Sequence, residues 1–253
     1  MKLINLILLG VLQGVLEWLP VSSTAIVMIF SVYLGIDLET SYDIALALHL
    51  GTLIALLAYY RKVYLTILTS FIRNGLKDKR TKYLILSLAG TGVTGIPAYL
   101  LVKKLLYGLS LKMFTILVCL LLIFTALLSL MKKKEKTLNS RESFLLGLVQ
   151  GVAAVPGLSR SGLTIAYLLS IGLTSREAFW WSFFVASPPI LGITLYEMVS
   201  NKIVFSIEFL TALLASFLTG FITVKTLLKI VEKIKRSYIT LGVALGLLVT
   251  LFI

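Results

Sequence analysis

Charge is what this sequence has least of. Only 14% of its 253 residues are Asp, Glu, Lys or Arg, where a soluble domain carries about a quarter. Cysteine occurs once, at Cys119, which excludes an intrachain disulfide and a cysteine metal cluster. Histidine also occurs once, at His49, which removes His-rich metal sites and His-pair chemistry. Acidic residues number 11 against 24 Lys and Arg, a formal net charge of +13. Such an excess can signal nucleic acid, but here the basic residues lie between apolar segments. They read as cytoplasmic loop charges beside anionic lipid, and no nucleic-acid partner is expected.

What abounds is apolar sequence, 58% of the chain. The expectation is an all-α polytopic membrane protein forming a single integral membrane domain over residues 1–253. The apolar run after Lys2 imitates a signal peptide. No A-x-A cleavage site follows it and Glu17 interrupts it, so it reads as retained.

Residues 3–19 are apolar apart from Asn5, Gln13 and Glu17. Pro20-Val21-Ser22-Ser23-Thr24 then breaks the run, and a second runs from Ala25 to Ile36. Neither half has the ~20 apolar residues of a comfortable span. The pair is either two short spans or a re-entrant hairpin. Full-length candidates follow at 42–60, 83–102 and 113–131. The plan then recurs, with a broken pair at 142–173 and spans near 177–199, 204–228 and 237–253.

The recurrence is visible residue by residue. At a fixed offset of 137, residues 8–25 align with 145–162 without gaps. Leu8, Leu9, Gly10, Gln13, Gly14, Val15 and Ser22 meet identical residues at Leu145, Leu146, Gly147, Gln150, Gly151, Val152 and Ser159. Gly10 with Gly14, and Gly147 with Gly151, each set two small residues on one helical face, which permits close helix contact in lipid. Duplication follows, with repeats over 1–136 and 137–253.

If each broken pair is re-entrant, each repeat is a hairpin plus three transmembrane helices, and an odd number of spans makes the two repeats inverted in topology. The basic stretches 61–82, 132–141 and 229–236 then share one side, as the positive-inside rule asks. Asp37, Glu39 and Asp43 fall outside. Lys103, Lys104 and Lys112 also fall outside and run against the rule. The first hairpin opens from outside and the second from the cytoplasm, so their tips meet near the midplane, where inverted repeats build polar sites.

The second tip reads Pro156-Gly157-Leu158-Ser159-Arg160-Ser161-Gly162, with Thr164 behind it. Pro-Gly breaks a helix. One reading is an interfacial loop whose Arg snorkels to a headgroup. The other is an anion grip at a half-helix start, where free N–H groups, Ser hydroxyls and a forked Arg converge on phosphate. The first tip, Ser22-Ser23-Thr24, favours the second reading. Gln13 and Glu17 lie four apart and project from one helical face toward it. Glu17 can act as general acid/base or hold a divalent cation that bridges phosphates. Ser23 is a nucleophile or a phosphate donor.

Gln13-Gly-Val-Leu-Glu17-Trp-Leu-Pro-Val-Ser-Ser-Thr24 and Pro156-Gly-Leu-Ser-Arg-Ser-Gly-Leu-Thr164 resemble the two signature motifs of the undecaprenyl-diphosphatase family, bacitracin-resistance type. The resemblance covers nearly the whole chain in length, hydropathy and segment order. It implies a membrane phosphatase that converts polyprenyl diphosphate to the monophosphate and recycles the cell-wall lipid carrier. The site is then reached from the outer face of the plasma membrane, with Mg²⁺ or Ca²⁺ in support and a homodimer as one admissible assembly. Glu17 becomes the key carboxylate, Gln13 its partner and Ser23 the nucleophile or a phosphate ligand. Arg160, Ser159, Ser161 and Thr164, with Ser22 and Thr24, hold phosphate.

The family often has a histidine just after Ser-Ser-Thr, and Ile26 stands there. Either that histidine is dispensable, or Glu17 does the proton transfer, or the activity is lost or altered. His49 on the next span is a further candidate to substitute, although a helical His beside Gly51 and Thr52 is more often a packing residue. Other aromatic and acidic residues read as structural: Trp18, Trp180 and Trp181 as interfacial, Glu197 and Glu208 as solvated span ends. Pro188-Pro189 reads as a kink. The rival to an enzyme is a carrier that flips polyprenyl phosphate through the same site. A channel explains neither the Arg nor the paired motifs.

Overall fold

The computed structural model describes residues 2–128, 137–200 and 206–230. Its described residues form α-helices and one 3₁₀ turn, without strands. The helices are α1 (Leu3–Leu16), α2 (Ser23–Tyr33), α3 (Leu38–Tyr59), α4 (Arg61–Asn74) and α5 (Lys79–Leu106). They continue with α6 (Leu111–Leu128), α7 (Ser140–Val152), α8 (Arg160–Ser170), α9 (Ser175–Ser200) and α10 (Ile207–Ile230). Five of them, α3, α5, α6, α9 and α10, are long and apolar enough to cross a membrane. The chain is a multi-pass helical membrane protein. The expected span at 237–253, the first half of the basic stretch 132–141 and most of 229–236 lie outside the described residues.

Both broken pairs are broken where the polar tips fall. At 1.5 Å per residue, the 14-residue α1 and 11-residue α2 are about 21 and 17 Å long, short of the ~30 Å hydrocarbon core. The 13-residue α7 and 11-residue α8 repeat those dimensions. Two of the full-length helices start where an aspartate caps them. Asp37 Oδ1 accepts the Thr40 N–H at 2.9 Å, and Asp78 Oδ2 accepts the Thr81 N–H at 2.9 Å. Each backbone hydrogen bond also holds its carboxyl below the usual aspartate range.

One stretch differs from expectation. Residues 61–82 read as a basic loop, but Arg61–Asn74 is helical. Its inner stripe, Val63, Tyr64 and Ile67 with Tyr60 just before it, packs against an apolar cluster, and its outer stripe leaves Leu65, Leu68 and Ile72 exposed. The 3.6-residue period is there in the sequence, masked by the charge count.

The glycine pairs set the closest helix contacts. A Cβ at Gly10 would lie 2.2 Å from Ala212 O, and one at Gly14 2.0 Å from Thr219 Oγ1, both on α10. A Cβ at Gly147 would lie 2.0 Å from Ser87 O, and one at Gly151 2.2 Å from Thr94 Oγ1, both on α5. Each short first helix thus beds into a long helix belonging to the other half of the chain. Gly147→Ala is expected to force α7 off α5 and to lower the melting temperature in detergent by several degrees. Gly92→Ala, where a methyl group meets nothing within 4 Å, is expected to leave it unchanged. Equal melting of the two variants would refute the close-contact role.

Candidate active site

Glu17 is the C-cap of α1, and Gln13 lies one turn earlier on the same face. Ser23 opens α2, His49 sits mid-way along α3, and Arg160 opens α8. These residues meet on one carboxylate. Gln13 Nε2 and Ser23 Oγ both donate to Glu17 Oε2 at 2.8 Å, and His49 Nε2 lies 3.1 Å from the same oxygen. The Arg160 guanidinium bonds the other oxygen, Oε1, through Nη2. An ionised carboxylate this deep is tolerable only with such complete pairing.

Backbone geometry explains the residue types at the two tips. Ser22 takes φ +58°, a left-handed conformation that no other non-glycine among the described residues adopts. Gly157 takes φ +102°, and a Cβ there would stand 2.9 Å from Val118 Cα, so only glycine fits. The tips are joined crosswise: the Gly157 N–H donates to Ser22 Oγ at 3.0 Å, and Ser161 Oγ donates to Leu19 O at 3.0 Å. Ser159 caps α8 by accepting the Gly162 N–H at 3.1 Å. The α2 N-terminus has no side-chain cap, which leaves its first-turn N–H groups for an anion.

Between the tips lies a small cleft of about 40 Å³. Glu17, Ser22, Ser23, Thr24, His49, Ser159, Arg160 and Ser161 line it, with Leu19, Ala153 and Leu158 as apolar wall. Two buried polar atoms at the site have no protein partner, Arg160 Nη1 and Gln13 Oε1. The first is a cationic donor and the second a neutral acceptor, as a phosphate and a water would use. The Arg160 Cζ sits 5.8 Å from the centroid of the Phe183 ring, which is itself packed edge-on against Trp18 at 5.0 Å. The stack helps to hold the plane of the guanidinium.

Thr164 is not at the cleft. Its hydroxyl donates to Arg160 O at 2.8 Å and pairs with Ser182 Oγ at 2.6 Å, so it ties the first turn of α8 to α9. Ile26 is buried in the apolar core and does not line the cleft. The histidine that does line it is His49, which the sequence ranks as a packing residue. No local signal reveals this, because the pairing with Glu17 is made by tertiary contact alone. His49 Nδ1 lies 2.7 Å from Ala45 O, which leaves Nε2 as the ring nitrogen turned to Glu17.

Two structural expectations fail here. Trp18 is buried rather than interfacial, with its Nε1–H donating to Gly220 O at 2.9 Å. Glu197 is wholly buried rather than solvated, since Tyr99 and Lys103 of α5 turn inward to meet it.

Among the described residues no three His, Cys, Asp or Glu side chains gather as a metal cage. Glu17 is the carboxylate that lines the cleft, and both of its oxygens already have partners, so an ion would be held there only in exchange for one of them.

Comparison with known proteins adds a second line. The profile of a family described as bacitracin resistance protein BacA matches residues 6–248. A protein of Pyrobaculum islandicum is 34% identical over 250 residues, covering 95% of this chain and 92% of its own. One from Haloarcula marismortui is 35% identical over 263 residues, covering 97% of each. One from Methanococcoides burtonii is 30% identical over 267 residues, covering all of both. All three carry the name undecaprenyl-diphosphatase.

Proposed function

The chain belongs to the bacitracin resistance protein BacA family, and from that membership and the geometry of the cleft we propose that it is an undecaprenyl-diphosphatase. It hydrolyses undecaprenyl diphosphate to the monophosphate and inorganic phosphate, so returning the lipid carrier to use. The observation that carries this reading is the buried, unpartnered Arg160 Nη1 beside a fully paired Glu17.

The roles follow from what each group faces. Arg160, the uncapped N-terminus of α2 and the hydroxyls of Ser22, Thr24, Ser159 and Ser161 hold the two phosphoryl groups. Charge that develops on the departing oxygens is met by donors already in place. Glu17 accepts the proton of the attacking hydroxyl, which belongs to Ser23 or to a water held at Gln13 Oε1. The attacking oxygen bonds to the terminal phosphorus as the bond from that phosphorus to the bridging oxygen breaks, and polyprenyl monophosphate leaves. Attack by water gives inorganic phosphate directly, whereas a phosphoryl group left on Ser23 is released by a water in a second step. Gln13 fixes the Glu17 rotamer, and Thr164 supports Arg160 from behind. His49 presents Nε2 to the same carboxylate oxygen as Ser23 and is the imidazole at hand for proton transfer. Glu17 is the residue that would hold Mg²⁺ or Ca²⁺, in exchange for one of its present partners, and such an ion would supply positive charge to the substrate.

The reading includes two inverted repeats, 1–136 and 137–253, each a re-entrant hairpin with three spans, and entry of the lipid from the outer face. The short α1, α2, α7 and α8, the reciprocal glycine contacts and the basic residues between α3 and α5 support it. The test is phosphate release from a long-chain polyprenyl diphosphate by the purified protein, with EDTA or with added Mg²⁺ or Ca²⁺. Release that rises with the ion is expected. Binding of the lipid without any release under all three conditions would overturn the enzyme in favour of a carrier.

A further inference from the structure

The loop that carries Arg160 is held in place from an unexpected direction. Among the described residues, two side-chain hydrogen bonds tie residues 153–158 to other elements. One is the Gly157 N–H to Ser22 Oγ, which joins one tip to the other. The other runs from the Tyr42 hydroxyl to Ala154 O at 3.1 Å. Tyr42 stands on α3, a full-length helix, so it alone of the two fastens the loop to the long-helix frame. Its neighbour in the loop, Ala153, lines the cleft.

Tyr42 is in turn fixed by a cluster that hydrolysis does not use. Its ring is 1% exposed and stacks on Tyr99 of α5, centroids 6.2 Å apart and planes 28° apart. The Tyr99 hydroxyl donates to Glu197 Oε1 of α9. Lys103, one turn after Tyr99, pairs with Asp43 beside Tyr42 and lies 3.6 Å from Glu197 Oε2. The Lys103 ammonium therefore sits between two carboxylates on two different helices. Lys103 is one of the outer lysines that the positive-inside rule leaves unexplained. Its charge has a partner on each side inside the protein, so it does not act as a topology signal.

We propose that Tyr42 is a positioning residue for the hydrolysis, setting the height of the Arg160 loop, and that the Asp43–Lys103–Glu197–Tyr99 cluster holds Tyr42 in register. The proposal rests on the phosphatase reading of the same cleft. Loss of the Tyr42 hydroxyl frees Ala154 O, and the loop drifts relative to Glu17. Misplacement on the ångström scale is felt in turnover by as much as about a hundredfold.

The experiment compares Tyr42→Phe, Lys103→Met and the double variant, in full-length purified protein, by kcat and KM for phosphate release. Tyr42→Phe keeps the ring and its stacking, so its melting temperature should stay near that of the wild type. Its kcat is expected to fall about tenfold or more. Lys103→Met is expected to lose a comparable factor, Lys103→Arg to retain most activity, and the double variant to lose little more than either single one. Such non-additivity marks a shared route. Additive losses in the double variant, or a Tyr42→Phe enzyme with wild-type kcat, would overturn the proposal. Absence of release by the wild type would instead refute the phosphatase reading, so the two failures are distinct.

Discussion

Arg160→Ala is expected to abolish phosphate release, lowering kcat/KM by about 10³-fold or more, the scale of removing a cation that meets phosphoryl charge in the transition state. Two losses combine in this variant. The diphosphate loses the donor at Nη1, and Glu17 loses the cation bonded to Oε1. The second loss also threatens the fold, because breaking a buried pair costs roughly 3–5 kcal/mol. Arg160→Lys separates the two effects. Lysine keeps the positive charge for Glu17 but has no planar fork with which to serve Glu17 and a phosphate together. A folded Arg160→Lys protein with activity reduced about 10²-fold, the cost typical of one preorganised donor, is the expected result. Wild-type turnover in that variant would show that Arg160 contributes charge alone.

The second large effect is expected at Glu17. Glu17→Gln is nearly isosteric and can still accept from Ser23, but it takes the counter-charge from Arg160, so its melting temperature is read beside its activity. It removes the carboxylate that takes the proton, and kcat should fall by about 10²–10⁴-fold, the usual range for general acid–base catalysis. Binding should move the other way. The cleft loses a negative charge while Arg160 loses its internal partner, so undecaprenyl diphosphate should bind as tightly as before or more tightly. Radiolabelled lipid binding measured beside phosphate release reads both. A Glu17→Gln protein that binds and still hydrolyses would exclude Glu17 as the base and turn attention to His49, which faces the same oxygen position at 3.1 Å. This pair of readouts also separates an enzyme from a carrier, since a carrier needs the grip but not the proton transfer.

Some of this is written locally in the chain and some is not. The breaks at 20–24 and 156–159 are legible because Pro and Gly act on their own backbone and because an apolar run either has the length to span or does not. The glycine pairs are legible because a four-residue spacing sets both on one face. Their partners on α10 and α5 are not, since a small residue announces close contact without saying with what. The α4 helix is hidden for a different reason: its basic residues signal a side of the membrane, and that signal says nothing of backbone conformation.

By itself the sequence determined the helical membrane class, the two broken pairs and the residues at their tips, because hydropathy, chain-breaking residues and motif spacing are properties of short segments. Tertiary structure alone decided that His49 rather than the residue at position 26 enters the cleft, that Thr164 stays behind it, and that Glu197 is buried. Each depends on which faces of distant helices meet. A charged or polar group among apolar neighbours must find a partner, and sequence states the need without naming the partner.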